Sequence, residues 1–271
     1  MKLIVTADDY GITDAVTDGI CKCARVGVLT QTGLFTNMPG SEYAAKRLIN
    51  EYPHICLGED INLVAGSPVT DPKLIPTLVQ EDGSFMTSRM HRAKDKTEPN
   101  HIKYEDAYLE TENQVKRFIE LTGKKPEYLS GHSYGTAESK RAMKDVAAKY
   151  DIVLSADMYK KIGVGSGPET AQWNKVEVKQ DGKYDFGVET QLSRDPLKIF
   201  IEGKLEYLNK ALAENGIAHI HTHAGFADRD LFRRSSFTLI RIMESDFICS
   251  KELVDWVKTN NVELVSIKDF K

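Results

Sequence analysis

Four separate places in this chain put carboxylates or imidazoles directly after an apolar run. Asp8 and Asp9 follow Leu3-Ile4-Val5-Thr6, and Glu59, Asp60 and Asn62 follow Ile55-Cys56-Leu57. His132 follows Tyr128-Leu129, and His219, His221 and His223 alternate along Ile217–His223. These side-chain types bind divalent cations and move protons. Adjacent aspartates have a specific use: one carboxylate binds a cation, while its neighbour takes a proton from a water that the cation acidifies. An imidazole across such a site can protonate a leaving amine. Each feature also has a bland reading. Asp-Asp ahead of Gly11 can be a turn or a helix cap, Asp60 can hydrogen-bond a neighbouring loop, and His132 can cap a strand. Alternation puts the three late histidines on one strand face, where His219, deepest in the run, reads as a core histidine. Taken together, the four places point to a shared metal site.

The elements that must position these residues follow a β-then-α rhythm. Leu3–Thr6 reads as a buried parallel strand. Thr13 and Asp14 offer N-caps for a helix through Val16, Ile20 and Ala24, with Gly27 as its stop. Strands follow over Leu29–Phe35 and Ile55–Leu63, with a helix over Tyr43–Asn50 between them. Helices over Glu105–Thr122 and Glu138–Tyr150 flank Tyr128-Leu129. Strand Ile152–Leu154, strand Ile217–His223, helix Ser250–Thr259 and strand Val262–Val265 complete the series. About seven such units predict a parallel sheet, with a closed, TIM-like (β/α) barrel, distorted if need be, favoured over an open sheet. In such a barrel the site lies at the carboxyl ends of the strands, where these carboxylates and imidazoles fall. Two stretches break the rhythm, 66–100 and 163–193, and read as long loops over one domain that spans 1–271.

Composition narrows the partners. The chain has 271 residues, 41% of them hydrophobic, with a net charge of −4 and a pI near 6.0. With no basic stripe, neither nucleic acid nor an anionic membrane is expected as a partner. No apolar run approaches the roughly 20 residues of a membrane span. The opening Met1–Asp9 run passes straight into polar residues, unlike a secretory leader. Cys21, Cys23, Cys56 and Cys249 are too scattered for a disulfide framework and read as plain thiols in a reducing, cytoplasmic setting.

Five segments, in order, then resemble the YdjC-like carbohydrate deacetylases. These are Ile4–Ile12, Gly27–Thr32, Gly58–Leu63 with Gly66–Val69, Gly131-His132 after Gln114, Gly123 and Pro126, and Thr222–Phe226 with Arg241–Glu244. The resemblance covers nearly the whole chain. It implies a (β/α) barrel that hydrolyses the N-acetyl amide of an amino sugar or a short oligosaccharide such as a chitooligosaccharide, using a divalent cation. Carried over, Asp8 is the general base, His223 the catalytic His near the leaving group, and Asp9, Asp60 and His132 the metal ligands. Arg241, Glu59 and Tyr134 are substrate candidates. The chain departs from the family at Asp60, where the family has a ligand His, at Ser130 and Tyr134 around His132, and at Ala224. Two carboxylates with one imidazole suit Mg²⁺ first, then Mn²⁺, with Co²⁺ or Zn²⁺ as further options.

Phe85, Trp173 and Tyr184 in the long loops are candidates to stack on a pyranose ring. A homodimer is compatible with the family resemblance. Two other readings are a sugar-binding barrel without catalysis, raised by Asp60 and Ser130, and a metal-dependent sugar isomerase or phosphoesterase.

Overall fold

A computed structural model describes residues 1–164 and 196–271, with side chains given outside 165–199. The chain runs β1 (Lys2–Tyr10), α1 (Asp14–Val26), β2 (Gln31–Leu34), α2 (Ser41–Glu51), β3 (Cys56–Ile61), α3 (Ser88–Lys94), α4 (Tyr104–Thr122) and β4 (Tyr128–Gly131). It continues with α5 (Ala137–Tyr150), β5 (Val153–Leu154), α6 (Ser155–Ile162), α7 (Pro196–Asn215), β6 (Ile217–Thr222), α8 (Arg229–Arg234), α9 (Leu239–Ile248), α10 (Lys251–Thr259) and β7 (Glu263–Leu264). Every strand pairing is parallel, in the order β5-β4-β3-β2-β1-β6, and β7 pairs with the start of β1.

The strands read as apolar because both faces are covered. Leu3, Val5 and Ala7 of β1 pack with Val16 and Ile20 of α1 and with Ala218 and Ile220 of β6 on the helix side. The alternate residues face the other way. There Thr6 Oγ1 lies 2.9 Å from His219 Nε2. Gln31 Nε2 donates to Thr6 Oγ1 at 2.9 Å and to the Tyr159 hydroxyl at 2.7 Å. The Ile267 amide closes this network on Gln31 Oε1 at 2.9 Å. Tyr159 sits on α6, just past β5, and its ring centroid lies 4.3 Å from that of His219 on β6. The two ends of the sheet are thus drawn together across a polar interior, as an α/β barrel requires. Among the described residues, β5 and β6 share no ladder.

The stretch 66–100 is more ordered than its composition suggests. A turn of 3₁₀ helix covers Pro72–Leu74, Val79 bridges Phe85, and α3 forms behind the Thr87 cap. Phe85 is 2% exposed within the core of β3, α4 and α5, so it is not available to stack on a sugar. Trp173, Tyr184 and most of 163–193 lie outside the described residues. Sequence periodicity passes over α7 and also over α6, α8 and α9, which span only 8, 6 and 10 residues, shorter than the roughly 11–18-residue window over which an amphipathic pattern is read.

Gly58 shows how tightly the interior is filled. A Cβ built there would sit 2.4 Å from the Tyr128 ring, which is itself fully buried with Cys56, Met158 and Ile267. A side chain at this position is overpacking that the ring cannot escape. Gly58→Ala is expected to lower stability by about 1–3 kcal/mol, seen as a lower urea midpoint with an unchanged slope.

Candidate active site

Successive residues of a strand point to opposite faces, so adjacent aspartates would normally part company. The end of β1 escapes this rule. Its pairing with β2 slips between Ala7 and Tyr10, and Asp9 adopts φ 67°, in the left-handed region that Asp tolerates better than most residues. Both carboxylates then turn to the same side. Asp8 Oδ2 lies 2.6 Å from His221 Nε2. Asp9 Oδ1 lies 3.0 Å from His132 Nδ1, and its Oδ2 accepts from Arg241 at 2.5 Å. The Asp9 amide donates to Asp60 Oδ2 at 3.0 Å, which fixes the turned backbone.

Charge is divided unevenly among the three aspartates. Burial works to raise Asp9, but His132 and Arg241 outweigh it and hold the carboxyl well below the usual range. Burial also works against Asp8, where His221 prevails and lowers the pKa. Among the described residues, Asp60 has no cationic partner. Burial, then the Asp8 carboxylate beside it, push its pKa well above the ordinary value. Asp60 lies flat against β2, where a Cβ on Gly33 would meet its Oδ1 at 2.1 Å. Among the described residues, the buried Asp9 Oδ1 and Asp60 Oδ1 have no well-formed hydrogen bond. Buried carboxylate oxygens left this way are the kind of donor a bound cation satisfies.

The three late histidines do share one face, and burial separates their roles. His219 is 3% exposed, bonded to Thr6, and pushed down to about 3 by burial, which makes it a neutral core group. His221 is raised to about 9 by the Asp8 carboxylate, so it is protonated at neutral pH. His223 is lowered by burial. Its backbone amide donates to Glu244 at 2.7 Å, and Arg241 donates to its carbonyl at 3.2 Å. Ligand atoms of Asp8, His221 and His223 lie within 4.8 Å of one another, a second set that could hold a cation.

The expected residues divide accordingly. Asp8, Asp9, Asp60, His132, His223 and Arg241 meet at the strand ends. Among the described residues, Asp9, Asp60 and His132 do not form a set whose ligand atoms all converge within 4.8 Å, and Asp60 Oδ2 accepts the Asp9 amide while Oδ1 stays free of hydrogen bonds. Arg241 is fully buried on Asp9 and turned away from any substrate face. Glu59 is a correction: alternation along β3 sends it to the opposite face from Asp60, where it is buried and accepts from Thr36 at 3.0 Å. Tyr134 is another. Its hydroxyl donates to Asp95 at 2.7 Å and its ring stacks on His91 with centroids 5.1 Å apart. His221, named among the late histidines, and Glu244, within the Arg241–Glu244 segment, carry no role in the sequence reading. The alternation of the histidines and the spacing Arg241-x-x-Glu244 were the signals that could have found them.

The Asp8–His221 pair sets a pH dependence for the metal-free protein. The raised His221 pKa contributes stability that is fully present below 6.5 and lost as pH rises through about 9. The lowered Asp8 pKa contributes stability present above 3.8 and lost below it. The imidazole is 37% exposed, so screening holds the pair to about 1 kcal/mol. The melting-temperature deficit of His221→Ala is therefore expected to be largest from about pH 4 to 6.5 and to vanish above about pH 9. A deficit independent of pH would assign the loss to packing instead.

Comparison with known proteins gives a consistent result. The chain is 30% identical to carbohydrate deacetylase 2 of Listeria innocua, covering 99% of this chain and 98% of the relative. It is 28% identical to a carbohydrate deacetylase of Thermoanaerobacter pseudethanolicus, with 99% of both covered. In structure it resembles an Enterococcus faecalis protein named for cellobiose-phosphate cleavage, with a TM-score of 0.75 at 22% identity, covering 99% and 98% of the two chains. Residues 2–259 match the YdjC-like protein family, and the chain belongs to it.

Proposed function

We propose that this chain hydrolyses the N-acetyl amide of amino sugars or short oligosaccharides, chitooligosaccharides among them, with the help of one divalent cation. The relatives named carbohydrate deacetylases support the reaction class. The observation that carries the metal reading is the pair of buried oxygens without a well-formed hydrogen bond, Asp9 Oδ1, which His132 faces at 3.0 Å, and Asp60 Oδ1. Asp9, Asp60 and His132 would hold the ion. When bound, it would polarise the amide carbonyl and acidify the attacking water.

The remaining chemistry belongs to the protein. Asp8, at the more exposed corner, accepts the proton of the attacking water at Oδ2. His221 orients that carboxylate and carries a proton at neutral pH. It can deliver that proton towards the leaving amine directly or by way of His223, whose ring centroid is 5.3 Å away. Arg241 keeps Asp9 ionised and in place. Mg²⁺ fits the oxygen-rich Asp9–Asp60–His132 set.

A second reading of the ion has its own support. The donors of Asp8, His221 and His223 converge within 4.8 Å. Two imidazoles with one carboxylate suit Zn²⁺ or Co²⁺ better than Mg²⁺. The two readings differ in what Asp8 does.

The test measures metal content after dialysis, together with acetate release from N-acetylated sugars. On the first reading, Asp9→Asn and His132→Ala lose at least about ten-fold in metal affinity. Asp8→Asn keeps the ion and loses about 10²–10⁴-fold in acetate release. Loss of the ion in Asp8→Asn would move it to the second set. Full metal loading with no acetate released from any such sugar would sink the deacetylase reading. Because carboxylate and imidazole ligands bind a cation only when deprotonated, affinity is expected to weaken as pH falls.

A further inference from the structure

α1 and α9 pack along the faces that carry Cys23 and Ser245. Cys23 is fully buried, and Cys249, just past the end of α9, is half-exposed. Their sulfurs lie 3.8 Å apart, and the Cys23 thiol also points to the Ser245 carbonyl at 3.8 Å. A disulfide needs about 2.05 Å between sulfurs, so closure asks for less than about 2 Å of movement. A rotamer change at either residue covers such a distance.

The two thiols are unequal. Cys249 can be reached from solvent, and the Cys23 hydrogen bond pulls its pKa down, with Lys22 and Arg25 adding positive charge. Cys23 is pushed well above the usual thiol range by the Cys249 hydrogen bond and by burial. An accessible thiol backed by a second, buried one is the arrangement of an attacking and a resolving cysteine.

We propose that Cys23 and Cys249 form a reversible oxidation site that takes a hydroperoxide and closes a disulfide between α1 and α9. The Cys249 thiolate attacks the peroxide O–O bond, giving a sulfenic acid and releasing hydroxide. The Cys23 sulfur then displaces the sulfenic oxygen, and the Cys23 proton leaves with it as water. The two sulfurs lose two electrons, the peroxide gains them, and a low-molecular-weight dithiol reverses the bond. The site matters beyond its own chemistry because α9 also carries Arg241 and Glu244, which hold Asp9 and the His223 backbone. The bond would lock those two positioning residues to the helix that follows Asp9.

The experiment treats the full chain with one equivalent of hydrogen peroxide, alkylates the remaining thiols and weighs the product. Expected are two alkylated thiols in place of four, a cross-linked Cys23–Cys249 peptide, full reversal by dithiothreitol, and a melting temperature higher by on the order of 5 °C. Cys249→Ser, which changes a half-exposed position, should abolish all of these. In Cys23→Ser, Cys249 should stop at a sulfenic acid that dimedone traps. Four alkylatable thiols after treatment would overturn the proposal. So would Cys249 oxidised to sulfinic acid without a cross-link in the unmutated chain.

Discussion

The candidate site rests on one irregularity, the left-handed Asp9 at the end of β1. A regular strand would send Asp8 and Asp9 to opposite faces of the sheet and leave only one at the cavity. Turning Asp9 costs backbone energy, and three contacts hold it there. Asp60 accepts its amide, Arg241 takes one carboxylate oxygen, and His132 stands beside the other. These partners come from β3, α9 and the loop after β4, so three distant parts of the chain must be correctly placed for one residue to stay strained. Gly33 and Gly58 serve the same end, since both lie where the interior has no room for a side chain.

Three carboxylates within one cavity repel one another unless something offsets the charge. The protein does so in three different ways. Asp8 is paired with an imidazolium, Asp9 with a guanidinium, and Asp60 has its pKa raised by burial and by Asp8. Glu59 adds to the strain from the other face of β3, where burial holds its pKa well above the usual value. The loop that carries His132 is restrained separately. Ser133 has φ 59°, Arg92 donates to its carbonyl at 2.9 Å, and Tyr134 is held by Asp95 and His91. α3, within the 66–100 excursion, therefore works as a clamp on the segment next to His132.

Much of this was legible in the sequence because strand ends announce themselves. An apolar run that stops at Asp8, at Asp60 or at His132 places that residue on the rim before any coordinates are known. The face assignment of the late histidines was legible for the same reason, and so was the core role of His219. Alternation would equally have turned Glu59 away from Asp60, had it been applied to β3. The conformation of Asp9 was not legible, because it depends on partners 51 and 232 residues away. Nor was the partnership of Asp8 with His221, which arises only from the β1–β6 register, Thr6 against His221. Tyr134 read as a substrate group because its two holders, Asp95 and His91, sit in a stretch whose composition hides a helix.

Asp60 stands behind the turned Asp9, and the geometry around it shows what its carboxyl group does there. Its Oδ2 accepts the Asp9 amide at 3.0 Å. It then does two jobs that pull in different directions. As an acceptor it stabilises the turned Asp9 backbone whether or not it is ionised. As a ligand it must be ionised and must turn its free Oδ1 towards the cation. The amide contact uses Oδ2 and leaves Oδ1 available, so the two jobs do not compete for the same atom. Asp60 therefore keeps the strained corner intact, and on the proposed metal reading it would offer an oxygen donor from the same side chain. On the proposed metal reading, the residue that offers this oxygen is the same one that holds the backbone of the corner it serves.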